Sequence, residues 1–150
     1  MDYQSALDYL YSFVDFEAKP ADVYAPERFN LERVRGLLER LGNPHGRYAS
    51  VHIAGTKGKG SLAAMVESVL RAAGHSTGLF TSPHLQDFRE RIRVDRKMIA
   101  HDSLAALIAE LRPHIAATAD ITFYEISAAL ALEWFARQRV EIAVLEVGLG

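Results

Sequence analysis

No cysteine occurs anywhere in the chain, which removes a disulfide framework, a thiolate zinc site and a cysteine nucleophile in one step. There is no excess of either charge. Seventeen Lys and Arg stand against 19 Asp and Glu, interspersed to a net charge of −2, so the electrostatic footprint of a nucleic-acid or anionic-membrane binder is missing. Long apolar runs are missing too: the longest, residues 126–136, is broken by Glu133 and is too short to span a bilayer. Met1-Asp2-Tyr3-Gln4 opens no basic region followed by an apolar stretch, which argues against a secretory signal. Of the six histidines, His45, His52, His75, His101 and His114 have no metal-like spacing and read as surface or satisfied core residues. Internal repeats and low-complexity tracts are absent as well. What remains is a composition of 49% hydrophobic and 24% charged residues over 150 positions, that of a soluble, cytoplasmic globular protein that takes small molecules as partners.

Apolar residues at helical spacing, Ala6, Leu7, Leu10, Tyr11, Phe13 and Val14, predict a first helix over residues 3–16 that Lys19-Pro20 ends. The polar stretch 21–28, with Pro26, reads as a loop. Leu31, Val34, Leu37, Leu38 and Leu41 then predict a second amphipathic helix closed by Gly42-Asn43-Pro44. From residue 49 the pattern becomes strand, loop and helix: a strand to Ala54, a glycine loop, a helix over 61–73 and a second strand over 77–81. That is a βαβ unit, for which a parallel pair is expected. Residues 89–99 alternate like a small hairpin, and a helix is expected from Ser103 behind Asp102 as N-cap, bent or ended by Pro113. A further helix over 124–137, with Trp134 and Phe135 in the core, precedes an apolar strand over 140–147 suited to burial on both faces. The expected organisation is a helical preface, 1–48, followed by an α/β domain, 49–150, with a mostly parallel sheet. About three core strands fall short of the five or six usual in such sheets, so the chain reads as the N-terminal portion of something longer.

The chemistry is concentrated in Gly55-Thr56-Lys57-Gly58-Lys59-Gly60-Ser61, between the first strand and its helix. Glycines let successive backbone N–H groups turn inward, the helix presents its positive end, and Lys59 adds a full charge, which together hold a polyphosphate. The loop is a variant of the strict nucleotide-binding pattern, because Ile53 stands where that pattern has its first glycine. Gly58 to Ala63 also fits the dinucleotide fingerprint G-x-G-x-x-A, but the second strand ends in Phe80-Thr81-Ser82 without the acid that would hold a ribose. ATP is therefore favoured over a dinucleotide. Ligands of parallel sheets bind beyond the carboxyl ends of the strands, which places Ser82 and Glu146 on the loop's edge. Either can reach a Mg²⁺ riding on phosphates, since that ion takes oxygen ligands and keeps few from protein. Residues 89–93 read as a solvated basic face by base rate, with His84, Arg89 and Arg91 as candidates for contacts to an anionic substrate. Tyr124 and Glu125 read as a helix start.

Taken in order, Gly55 to Ser61, Thr81-Ser82-Pro83-His84-Leu85, Phe88-Arg89-Glu90-Arg91-Ile92, Phe123-Tyr124-Glu125 and Glu146-Val147-Gly148-Leu149-Gly150 resemble the folylpolyglutamate synthase and dihydrofolate synthase family of Mur ligases. With the N-terminal helices and Leu41-Gly42-Asn43-Pro44, the resemblance spans nearly the whole chain. It implies a P-loop three-layer sandwich, with ATP on the glycine loop and Mg²⁺ at the positions of Ser82 and Glu146. It also implies an activity: the γ-phosphate passes to a carboxylate of a folate or dihydropteroate substrate, and L-glutamate displaces it. The family loop usually has asparagine where this chain has Lys57. A further metal-binding histidine, a carbamylated lysine and a glutamate-binding domain are implied beyond Gly150, so the 150 residues alone are expected to be inactive. The alternative is a non-catalytic nucleotide-binding module.

Overall fold

The computed structural model describes residues 1–13 and 31–148. The end of the first expected helix, Lys19-Pro20, the loop with Pro26, and Leu149-Gly150 lie outside the described residues. Two compact units emerge, one from residues 1–43 and 101–130, the other from 44–100 and 131–150.

In the first unit, α1 (Tyr3–Tyr11) starts at Asp2, whose carboxylate accepts from the Ser5 N–H at 2.8 Å. It buries Ala6 and Leu10, while α2 (Glu32–Arg40) buries Leu37 and Leu38. Both pack on α4 (His101–Ala116), whose Leu104, Leu107, Ile108, Leu111 and Ile115 recur at three and four residues and form one buried stripe. The two helices of the preface thus share their core with a helix from far along the chain. Asp102 lies inside the first turn of α4 rather than at its N-cap, where its charge still favours the helix dipole. Pro113 sits inside α4, which ends one turn later at Ala116. α5 (Phe123–Arg137) opens with a reciprocal cap: Thr122 Oγ1 accepts from the Glu125 N–H at 3.2 Å, and Glu125 Oε2 accepts from the Thr122 N–H at 3.0 Å. Glu125 also pairs with Arg33 at 3.0 Å. The helix start read at Tyr124-Glu125 is what the structure contains.

The second unit is a mixed five-stranded sheet of order β1-β5-β2-β3-β4. Its strands are β1 (Ala49–Ile53), β2 (Thr77–Phe80), β3 (Ile92–Val94), β4 (Lys97–Met98) and β5 (Ile142–Glu146). β1 and β2 are parallel, as the βαβ pattern requires, but they are not neighbours: β5 lies between and pairs parallel with both. The 89–99 region does form a hairpin. Asp95 and Arg96, both at positive φ, make its two-residue turn, and β3 runs antiparallel to β2. α3 (Lys59–Ala72) packs on β1, β2 and β5 through Ala63, with Val66 and Leu70 against Ile53, Leu79 and Val144. The helix begins two residues earlier than the sequence suggests, because Gly58 takes the left-handed N-cap conformation at φ +74° and frees Lys59 to enter the first turn.

β2 is buried at all four positions, and its Gly78 leaves room for the ring of Phe135: a Cβ there would lie 2.7 Å from ring carbons. Phe135 is fully buried, whereas Trp134 is only half-buried, so only the first belongs to the core. β5 has Ala143 and Val144 buried but Ile142 and Leu145 half-buried, short of the two-sided burial its sequence suggests. At the opposite end of the sheet from the loop, Thr77 ties three elements together. Its Oγ1 donates to buried Glu67 of α3 at 2.8 Å, and its N–H donates to Asp95 in the hairpin turn at 2.9 Å. Glu67 is further neutralised by Arg71 at 3.0 Å, which a buried carboxylate requires. Among the described residues no helix is long and apolar enough to cross a membrane.

Candidate nucleotide and metal site

β1 ends at Ile53, directly opposite Glu146 in the parallel register, so the glycine loop leaves the sheet beside the last residue of β5. The Val147 N–H donates to the Ile53 carbonyl at 2.9 Å and extends that pairing one residue past the strand. Gly55 at φ +153° and Gly58 at φ +74° bend the loop through backbone conformations that other residues resist. Thr56, Lys57 and Gly58 are exposed, and α3 follows with Lys59, Gly60 and Ser61 in its first turn. Exposed backbone, a helix N-terminus and a lysine therefore converge at the carboxyl edge of the sheet, the arrangement that cradles phosphate.

Lys59 does not extend into solvent. Its Nζ donates to the carbonyl oxygens of Val147 at 2.8 Å and Gly148 at 3.3 Å, which stitches the loop to the end of β5.

Glu146 and Ser82 come together on this edge. Ser82, two residues beyond β2, donates its N–H to Glu146 Oε2 at 3.2 Å, and both residues are 7% exposed. A Cβ placed on Gly60 would meet the same carboxylate at 3.6 Å, an ordinary van der Waals contact, so Glu146 lies beside the first turn of α3. Ser82 Oγ is buried and, among the described residues, has no hydrogen-bond partner. An orphaned buried hydroxyl is costly, and one beside a carboxylate and a glycine loop offers the oxygen donors that suit a divalent cation. Nowhere among the described residues do three His, Asp or Glu side chains gather as a metal site, so an ion here would rely on Ser82, Glu146, phosphate oxygens and water.

The loop after Ser82 is more ordered than its sequence indicates. Glu90 accepts from the N–H groups of Leu85 at 2.9 Å, Gln86 at 3.1 Å and Asp87 at 2.8 Å. Those bonds, led by the one from Leu85, hold its carboxyl below the ordinary glutamate value. Asp87 caps the 3₁₀ turn Phe88–Arg91 in return. The Asp-x-x-Glu spacing is the local sequence signal for this cap.

Those arginines do not form the solvated face expected of them. Arg91 is 2% exposed, stands 5.6 Å from the Phe88 ring centre, and donates through Nε to His84 Nδ1 at 2.8 Å. Arg89 pairs with Asp87 at 2.9 Å and donates to the Ile99 carbonyl at 3.3 Å. The alternating pattern placed them on a strand, whereas a 3₁₀ turn carries Arg91 inward, where a histidine nitrogen and an aromatic face satisfy it. His84 and Arg91 are thus joined to each other on the loop that follows Ser82, whereas Arg89 is held by Asp87 and the Ile99 carbonyl.

No family model matches the chain. Among curated proteins it is 42% identical over 154 residues to a Haloferax volcanii protein named "Probable bifunctional folylpolyglutamate synthase/dihydropteroate synthase", covering all of this chain and 17% of that one. It is 34% identical to the Bacillus subtilis dihydrofolate synthase/folylpolyglutamate synthase over 99% of this chain and 34% of the relative. A solved complex of folylpolyglutamate synthase with AMPPCP and folate superposes with a TM-score of 0.87 at 34% identity, over 100% of this chain and 36% of that one. The chain thus spans about a third or less of the length of these relatives.

Proposed function

We propose, from the premise that this chain belongs in sequence and fold with the folylpolyglutamate and dihydrofolate synthases of the Mur ligase family, that it supplies the ATP and Mg²⁺ half of a glutamate ligase. The reaction is ATP-dependent amide formation: a carboxylate of a folate or dihydropteroate substrate takes the γ-phosphate, and the amine of L-glutamate then displaces phosphate from the acyl phosphate. The observation that carries this reading is the meeting of the glycine loop, Glu146 and the orphaned Ser82 hydroxyl on one sheet edge.

The chain's residues have separable tasks. Backbone N–H groups from Gly55 to Ser61 and the N-terminus of α3 bind and orient the polyphosphate. Lys59 supplies positive charge to the phosphates and, through the Val147 and Gly148 carbonyls, keeps the loop registered on β5. Ser82 and Glu146 hold the Mg²⁺, which when bound neutralises charge on the transferring phosphate. Gly60 sets the first turn of α3 beside the Glu146 carboxylate. His84, Arg89 and Arg91 shape the neighbouring wall where an anionic substrate is received.

Calorimetric titration of the chain with Mg·AMPPCP tests the proposal. Saturable binding is expected, weakened at least about tenfold in Lys59→Ala, because a charge-assisted phosphate contact of 1.5–3 kcal/mol is lost. Wild-type protein that binds no nucleotide sinks the reading. The 150 residues alone are expected to release no glutamate-dependent ADP with dihydropteroate or tetrahydrofolate; release that Lys59→Ala abolishes would show instead a complete active site.

A further inference from the structure

The glycine loop carries two lysines in different states. Lys59 spends N–H donors on the Val147 and Gly148 carbonyls and is half-buried. Lys57, two residues earlier, is exposed and makes no hydrogen bond or ion pair among the described residues. It sits between Gly55 and Gly58, the two positions whose backbone conformations curl the loop, so its ammonium is carried by the phosphate cradle itself. Glu146 lies beside Gly60, three residues along the loop, and is engaged by the Ser82 N–H.

We infer that Lys57 is a second, outer cation for the polyphosphate tail of the nucleotide, one that adds affinity and salt dependence while Lys59 supplies the fixed inner contact. This rests on the reading of the loop as a nucleotide site. A lysine ammonium is a hydrated point charge on a flexible four-carbon stem, so it suits a mobile contact to a polyanion better than a rigid one. Its attraction acts through solvent and is screened over about 8–10 Å at moderate ionic strength. Such a contact draws a highly charged ligand toward the loop and costs nothing in burial, because the group stays wet.

The experiment is titration of the chain with Mg·AMPPCP at about 50 mM and about 500 mM salt, spanning strong and weak screening. Lys57→Asn is expected to weaken binding about three- to tenfold at the lower salt, the range of one partly screened ion contact to a multiply charged ligand. The deficit should shrink toward unity at the higher salt. Lys57→Arg, which keeps the charge, should bind like wild type. Lys97→Asn removes an equal charge from exposed β4, away from the loop, and should change nothing. Equal affinity of Lys57→Asn and wild type at low salt overturns the inference while leaving the nucleotide site standing. Equal losses in Lys57→Asn and Lys97→Asn overturn it as well, since the effect would then be one of net charge. Failure of the wild-type chain to bind nucleotide at either salt overturns the site reading and this inference together.

Discussion

Ser82→Ala separates a metal-binding hydroxyl from a structural one. The Oγ of Ser82 is buried with no partner among the described residues, so in the ligand-free protein it contributes a desolvation cost of about 1–3 kcal/mol with no hydrogen bond in return. Alanine removes the oxygen and little volume. The backbone N–H of residue 82 still donates to Glu146, so that link survives the change. The ligand-free variant should be as stable as wild type or more stable by up to about 1–2 kcal/mol, the desolvation cost less a small loss of packing. For a chain of this length that corresponds to a Tm rise of at most about 8 °C. Binding of Mg·AMPPCP should fall by about tenfold or more, because the ion loses one of few protein ligands, whereas binding of AMPPCP with EDTA should hardly change. Differential scanning calorimetry and titration with and without Mg²⁺ read both halves. A Tm fall of several degrees would mean that the hydroxyl has a structural partner. Unaltered Mg²⁺ dependence would remove Ser82 from the metal site.

Gly78→Ala places a methyl 2.7 Å from the ring of buried Phe135, in the middle of a fully buried strand, and overpacking of this kind costs about 1–3 kcal/mol. Urea denaturation should show a lowered midpoint at constant m, and a neutral result would mean that the ring moves freely. Glu90, whose folded pKa lies below the ordinary 4.5, binds its proton less readily in the folded loop than in the unfolded chain. Its contribution to loop stability is complete above that ordinary value and is lost as pH falls through the lower folded one. Amide exchange at Leu85, Gln86 and Asp87 should accelerate, relative to intrinsic rates, in that acid window. In Glu90→Gln the protection should be low already at neutral pH and insensitive to this change, and a carboxyl titration midpoint at or above 4.5 would contradict the assignment.

The loop itself was legible because its chemistry is local. Glycine at 55 and 58, lysine at 59 and the switch from strand to helix periodicity are properties of consecutive residues, and backbone sterics turn them into a cradle. The edge placement of Ser82 and Glu146 also followed from general rules for parallel strands. The arginine run misleads for the opposite reason. Alternating residues suggest a strand, yet Asp87 and Glu90 cap a 3₁₀ turn there, and a cap decides direction through hydrogen bonds that periodicity does not register. The N-terminal helices are legible in their own periodicity, but their grouping with α4 is not, since the partner of an amphipathic stripe is set by which other stripe the chain brings to it.

By itself, then, the sequence determined the strands, most of the helices and a phosphate-binding turn, all of which depend on neighbours within a few residues. Tertiary structure decided that β5 intervenes between β1 and β2, and so brought Glu146 opposite Ile53 and within reach of Ser82, 64 residues away. It also decided which buried groups are paired and which, like the Ser82 hydroxyl, are not. The division is physical: backbone conformation is chosen by adjacent residues, whereas the satisfaction of a buried charge or hydroxyl depends on atoms that only a folded sheet can bring together.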